Sequence, residues 1–299
     1  MRYRYYTCDV FTEERFGGNP LAVLPEAEGL SEAQMQQIAR EFAYSETTFV
    51  RPGPGPDSWA VRIFTPSREV PFAGHPNVGT AFVLATTGAI PGDGPTWRVT
   101  FDEAAGPVPI TIERGEDGRI RCELTAPQRI AVGDDVAVPL VAQATGLAPG
   151  DLRLDRHAPC VASVGLPFVI AEVADVATLG RARPSVAGGE ALAETGHPPD
   201  VYVYARGGDG SAIRARMFAP LDGVPEDPAT GSAGCALAGL LAHLDAAESA
   251  ALQWDIVQGV EMGRPSRLAA RAQKLGGEVT GVWIGGASVM VAEGFIEAG

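Results

Sequence analysis

Cysteine is scarce in this 299-residue chain: Cys8, Cys122, Cys160 and Cys235 stand far apart. None forms a CxxC pair or joins a histidine at metal-ligand spacing. That excludes a disulfide framework and the common zinc motifs, and leaves buried or free thiols of a reducing compartment as the expectation. Long apolar runs are missing too; none reaches the roughly 18 residues that span a bilayer. The opening MRYRYYTCDVF is too polar for a secretory leader, so a cytoplasmic chain is expected. Basic charge is short: 23 Lys and Arg face 37 Asp and Glu, a net charge of -14. That sign argues against nucleic acid or an anionic membrane as partner. It leaves room for a small anionic metabolite in one locally positive pocket. No GxSxG elbow, HExxH pair, Walker A loop or GxGxxG fingerprint occurs. Hydrolase, nucleotide and dinucleotide motifs are therefore absent, and the expected cofactor and metal complement is none.

Glycine (37) and proline (24) are plentiful and imply many turns. Between them, stretches at 59–64, 99–101, 110–112, 120–124, 201–204, 213–218 and 282–291 read as strands. Helical signals are fewer. Ser31-x-x-Gln34 is a capping box with Leu30 and Met35 as its staple pair. Met35, Ile38, Ala39 and Phe42 then fall on one face. The class is α+β, richer in strand than in helix.

The chain repeats itself. Gly18-Asn19-Pro20-Leu21-Ala22-Val23-Leu24 matches Gly165-Leu166-Pro167-Phe168-Val169-Ile170-Ala171, and Arg62-Ile63-Phe64-Thr65-Pro66 matches Arg216-Met217-Phe218-Ala219-Pro220. Each second segment leads through a proline-containing loop and a glycine to an apolar stretch, 74–84 in the first case and 231–241 in the second. The second loop is longer, around Glu226-Asp227-Pro228. Two similar halves are expected. Residues 233–244 are apolar on nearly every side, so that helix must be buried all round. Pro76 suits a first helical position. Two helix N-termini pointing into one cleft would form an anion site from backbone N–H groups and dipole ends.

Four polar residues fall at these loops. Glu46 stands where a polar knot meets a strand; it is either a surface residue or one in use. His75 lies at the first helix start, where the dipole favours a neutral ring that caps or relays a proton. Asp227 and Ser232 flank the second start and would serve equally as ordinary caps. Together they make a proton-transfer set at the mouth of one cleft.

Six segments in order resemble the phenazine-biosynthesis PhzF-like family: Asp9–Thr12, Gly18–Val23, Ser45–Phe49, Glu69–Pro76, Glu226–Ala233 and Gln258–Ser266. The resemblance implies a diaminopimelate-epimerase-like fold, in which two pseudo-symmetric halves each wrap a barrel-like β-sheet round a central helix. The halves expected here are 1–126 with a C-terminal strand at 283–299, and 127–282. It implies a cofactor-independent isomerase, often a homodimer, similar to the trans-2,3-dihydro-3-hydroxyanthranilate isomerase of phenazine biosynthesis. Carried over, Glu46 matches the base and proton carrier. His75, Asp227 and Ser232 match the other catalytic positions. Asn19, Ser45, Gly74, Thr230 and Gly231 are the expected substrate-binding positions. One departure is Ala43-Tyr44, where an Asn-Leu-like pair is expected. A racemase or epimerase of an amino acid-like substrate, or a small-acid binding protein without catalysis, stays open as the alternative. The two-thiol chemistry of related epimerases is disfavoured, because the helix starts read Gly74-His75 and Gly231-Ser232.

Overall fold

A computed structural model describes residues 1–55, 57–90, 94–207 and 212–299. Strand β1 (Arg2–Val10) pairs antiparallel with β2 (Asn19–Leu24), and β2 runs parallel to β3 (Glu46–Pro52). β4 (Ser58–Phe64) returns antiparallel to β3, meets the short β5 (Glu69–Val70), and lies parallel to β6 (Thr96–Glu103). β7 (Gly106–Arg114) and β8 (Ile120–Thr125) complete an antiparallel meander. After β9 (Ala131–Asp135) the same pairings recur in the same order. β10 (Cys160–Ser163) is antiparallel to β11 (Pro167–Glu172), and β11 is parallel to β12 (Val201–Arg206). β13 (Ala212–Ala219) is antiparallel to β12 and to β14 (Val224–Asp227), and parallel to β15 (Ala250–Gln258). β16 (Ser266–Leu275) and β17 (Glu278–Glu297) close the second meander.

β17 explains how the repeats join. It leaves β16, pairs Trp283–Ala287 with β8, and then pairs its last stretch with β1. Three partners in succession account for its 20 residues, where alternation alone marks only 282–291.

Six helices fill the connections among the described residues. α1 (Glu32–Phe42) carries the capping box at Ser31 and Gln34, and buries Met35, Ile38 and Ala39. It ends at Ala43, which sits in the left-handed region at φ 53°. Asn adopts that region more readily than Ala, which gives a local reason for expecting Asn there. α2 (Gly74–Thr86) and α6 (Gly231–Leu244) are the repeated apolar helices. α3 (Val138–Thr145), α4 (Val176–Arg181) and α5 (Val186–Glu194) pack on the second half.

α2 is buried from Gly74 to Ala85, and α6 from Gly231 to Ala242. α2 is enclosed by β1, β2, β3, β7, β8 and β17; α6 by β10, β11, β15, β16 and β17. Close wrapping needs small residues. A methyl added at Gly79 would fall 2.6 Å from both Val10 Cγ2 and Leu21 Cδ2. Two expectations need correction. Pro76 is the third helical residue, not the first, because α2 begins at Gly74. It is tolerated because first-turn N–H groups have no intrahelical partner to lose. Burial of α6 also stops at Ala242, and His243 and Leu244 emerge into solvent.

A helix enclosed on all sides has no expendable face. Phe82 and Leu84 are both buried and point about 200° apart on α2. Phe82→Ala and Leu84→Ala should each cost about 3 kcal/mol or more in urea unfolding. A large loss at only one of them would mean that α2 is an ordinary amphipathic helix.

Candidate active site

The two helix starts meet head to head. A methyl added at Gly74 would fall 2.5 Å from Gly231 Cα, and one added at Gly231 would fall 2.9 Å from Gly74 Cα. These contacts are with backbone, so only glycine fits at either position. Neither helix has a side-chain cap at its N-terminus. The capping reading of Asp227 and Ser232 therefore does not hold, and first-turn N–H groups of both helices are left for another acceptor. Two positive dipole ends this close repel each other. An anion between them relieves the repulsion.

A cleft of about 40 Å³ opens beside this junction. Its polar wall carries Ser45, Glu46, His75, Asp227, Thr230 and Ser232, and Gly74 and Gly231 line it as well. Its apolar wall includes Val70, Phe72, Leu166, Phe168 and Met217. A space of this size holds little more than water, so a ring-sized ligand requires the walls to part.

Asp227 ends β14, and its carboxylate accepts three hydrogen bonds. Asn19 Nδ2 donates to Oδ1 at 2.8 Å, Ser45 Oγ to Oδ1 at 2.7 Å, and Thr230 Oγ1 to Oδ2 at 2.5 Å. Burial raises its pKa above the usual carboxylate range, and these three donors oppose that rise without cancelling it. Glu46 opens β3 beside Leu21 of β2. Its Oε2 is buried and has no hydrogen-bond partner among the described residues. Burial, then the charge of Asp227, holds its carboxyl well above the usual carboxylate range. Of the two carboxyl groups Glu46 is the one that keeps the proton, because Asp227 has donors and Glu46 has none.

His75 is 2 % exposed. Burial pushes its imidazole down to about 3, so the ring is neutral at ordinary pH. Its Nδ1 stands 3.2 Å from Asn19 Nδ2 and 3.5 Å from Glu46 Oε2. Asn19 directs its amide to Asp227 and to the Ala229 carbonyl. It is wholly buried and does not line the cleft. Asn19, expected to touch substrate, braces His75 and Asp227.

Two further braces carry no catalytic signal in the sequence. Gln258 donates from Nε2 to the Asp227 carbonyl at 2.8 Å and to Thr230 Oγ1 at 3.0 Å. Its Oε1 accepts from Thr230 N and from the Tyr202 hydroxyl. Arg264 donates to Asp9 Oδ1 and to the carbonyls of Gly17 and Gly18, which fixes the loop that delivers Asn19. Asp200 and the Arg68–Asp222 ion pair also face the cleft; chain position gave no hint of this.

The sequence profile of the phenazine biosynthesis-like protein family matches residues 8–294. The chain belongs to that family. It is 37% identical over 296 residues to a trans-2,3-dihydro-3-hydroxyanthranilate isomerase of Pseudomonas aeruginosa, covering 98% of each chain. It is 40% identical over 299 residues to an uncharacterized isomerase of Mesorhizobium japonicum, covering 97% of each. The crystal structure of a PhzF-family phenazine biosynthesis protein of Bacillus anthracis superposes with a TM-score of 0.87 at 24% identity, covering 99% of both chains. The fold is the α+β architecture shared by PhzF proteins and epimerase-like enzymes, and the chain is an isomerase of the PhzF type. No helix among the described residues is long and apolar enough to cross a membrane. All four cysteines are free and buried.

The Glu46 environment has a thermodynamic signature. Its folded-state pKa lies above the ordinary 4.5, so folding favours the protonated form and stability is lost as pH rises through the folded value. Glu46→Gln removes that loss. Melting temperatures of the two proteins should converge towards pH 4.5, and the Gln variant should become increasingly the more stable as pH rises to 9. A difference that does not change with pH would show that Glu46 titrates normally.

Proposed function

We propose that this isomerase moves a proton between carbons of a small carboxylate-bearing metabolite, with Glu46 as the carrier and without cofactor or metal. The asymmetry of the carboxyl pair carries this reading: an unpartnered Glu46 beside a donor-saturated Asp227. A carboxyl with a raised pKa takes a proton from carbon and returns it. The neighbouring Asp227 anion keeps the proton affinity of Glu46 high. Neutral His75 stands within reach of Glu46 to donate or relay. Ser232 and the first-turn N–H groups of α2 and α6 face the place where a substrate carboxylate would sit. Substrate binding by Ser45, Gly74, Thr230 and Gly231 belongs to the same proposal. The halves 1–126 with 283–299 and 127–282 would close on the substrate from either side, in a cytoplasmic homodimer. A dihydro-hydroxyanthranilate, named for the Pseudomonas relative, is the first substrate to try.

The racemase alternative has less support. Cys235 is fully buried within α6 and does not line the cleft, and burial pushes its thiol up. Its counterpart by position in α2 is Val78.

Turnover in deuterated water should place solvent deuterium in the product at one carbon. Glu46→Gln should keep ligand affinity while turnover falls about 10²-fold or more, the scale of losing a general base. Dialysis against EDTA should leave activity intact. Near-normal turnover of the Gln variant would remove Glu46 from the mechanism. A loss on chelation that added metal restores would overturn the cofactor-free reading.

A further inference from the structure

Gln258 ends β15 and is wholly buried. Two backbone groups decide how its amide lies. The Asp227 carbonyl can only accept, so the atom 2.8 Å from it is the nitrogen, Nε2. The Thr230 N–H can only donate, so the atom 3.2 Å from it is the oxygen, Oε1. Turning the amide over would break both bonds. The second Nε2 proton then points at Thr230 Oγ1, 3.0 Å away. The Tyr202 hydroxyl fills the second lone pair of Oε1 at 3.2 Å, so all four positions of the amide are taken. The Thr230 hydroxyl has one proton of its own. With Gln258 donating to its oxygen, that proton goes on to Asp227 Oδ2 at 2.5 Å. A proton on Oδ2 would leave the Thr230 hydroxyl without an acceptor among the described residues, and burying an unmatched donor costs stability.

We infer that Gln258 is a positioning residue for the proton shift: it aims the Thr230 hydroxyl proton at Asp227 and so decides which of the two cleft carboxyl groups holds the proton. This placement rests on the proton-carrier reading of Glu46 only for what the proton does in turnover. Among the groups that oppose the effect of burial on Asp227, the Thr230 hydroxyl comes first. The other charged and titratable groups around the pair do not set the choice. Glu226 acts on Asp227 and Asp222 on Glu46, but each is bonded to an arginine, Glu226 to Arg216 and Asp222 to Arg68. His75 is kept neutral by burial, and burial likewise keeps the proton on the Tyr202 phenol.

Carbon-13 titration of the labelled Asp227 and Glu46 carboxyl groups, from pH 3 to 9 in the resting protein without substrate, tests this. Gln258→Met removes both amide donors at nearly the same side-chain length. The Asp227 midpoint should rise by about one pH unit or more, the scale of a hydrogen bond to a charged group, and the Glu46 midpoint should fall. Thr230→Val should do the same with Gln258 in place, and Thr230→Ser should return both midpoints towards wild type. Tyr202→Phe takes one bond from Gln258 but spares both backbone groups that fix its amide. Its midpoints should stay in place, which separates proton placement from mere bracing. An unchanged Asp227 midpoint in Thr230→Val, the deciding variant if Gln258→Met folds poorly, would overturn the role of Gln258. So would a Tyr202→Phe midpoint moved as far as that of Gln258→Met. No turnover enters these titrations, so near-normal turnover of Glu46→Gln would overturn the carrier reading and not this one.

Discussion

The cleft depends on one carboxylate that is bonded across it. Asp227 comes from the second repeat, and two of its three donors, Asn19 and Ser45, come from the first. The contacts close the cleft and also decide its chemistry. Each hydrogen bond to Asp227 favours its charged form, and a fixed negative charge beside Glu46 favours a proton on Glu46. Asn19 ties His75 into the same network, so the imidazole and the Asp227 carboxylate are set in one geometry. Gln258 repeats the logic one layer out, holding Thr230 so that its hydroxyl donates to Asp227.

The second constraint is the meeting of the two central helices. An acidic chain would have to grip an anion here with backbone. Arg68 is the one basic side chain on the cleft wall, and it is paired with Asp222. Positive potential comes instead from two uncapped helix starts, which requires glycine at both 74 and 231 and enclosure of each helix on every side. Burial of α2 and α6 is thus more than core formation. It holds two like dipole ends together, an arrangement that neither helix would adopt alone.

Much of this was legible because the repeated features are local and strongly patterned. Ser31 and Gln34 mark the start of α1, and the apolar stretches at 74–84 and 231–241 mark helices with no exposed face. Seven strand cores lie within β4, β6, β7, β8, β12, β13 and β17. Other elements gave weaker signals. β1 mixes arginine, tyrosine and cysteine and is exposed at its start but buried throughout its second half, so it shows no alternation over its length. α4, with 6 residues, is too short to show a period. His75, Asp227 and Ser232 could be named because they sit at the two matching helix starts, and Glu46 because its segment, Ser45–Phe49, resembles the family. Gln258 and Arg264 fall in one of the six segments that resemble the family, but their bracing contacts are made by the fold, and nothing in the local pattern places Asp200 at the cleft. Asn19 was expected at the cleft, and only the fold shows that its amide braces His75 and Asp227.

The central claim is that the proton of the carboxyl pair resides on Glu46 while Asp227 stays ionised. Carbon-13 NMR of labelled side-chain carboxyl groups, followed from pH 3 to 9 and assigned with Glu46→Gln and Asp227→Asn, tests it most directly. The account predicts that the Glu46 resonance titrates well above the ordinary carboxylate range while the Asp227 resonance is already that of a carboxylate. A proton held by Asp227 beside an ionised Glu46 would contradict it.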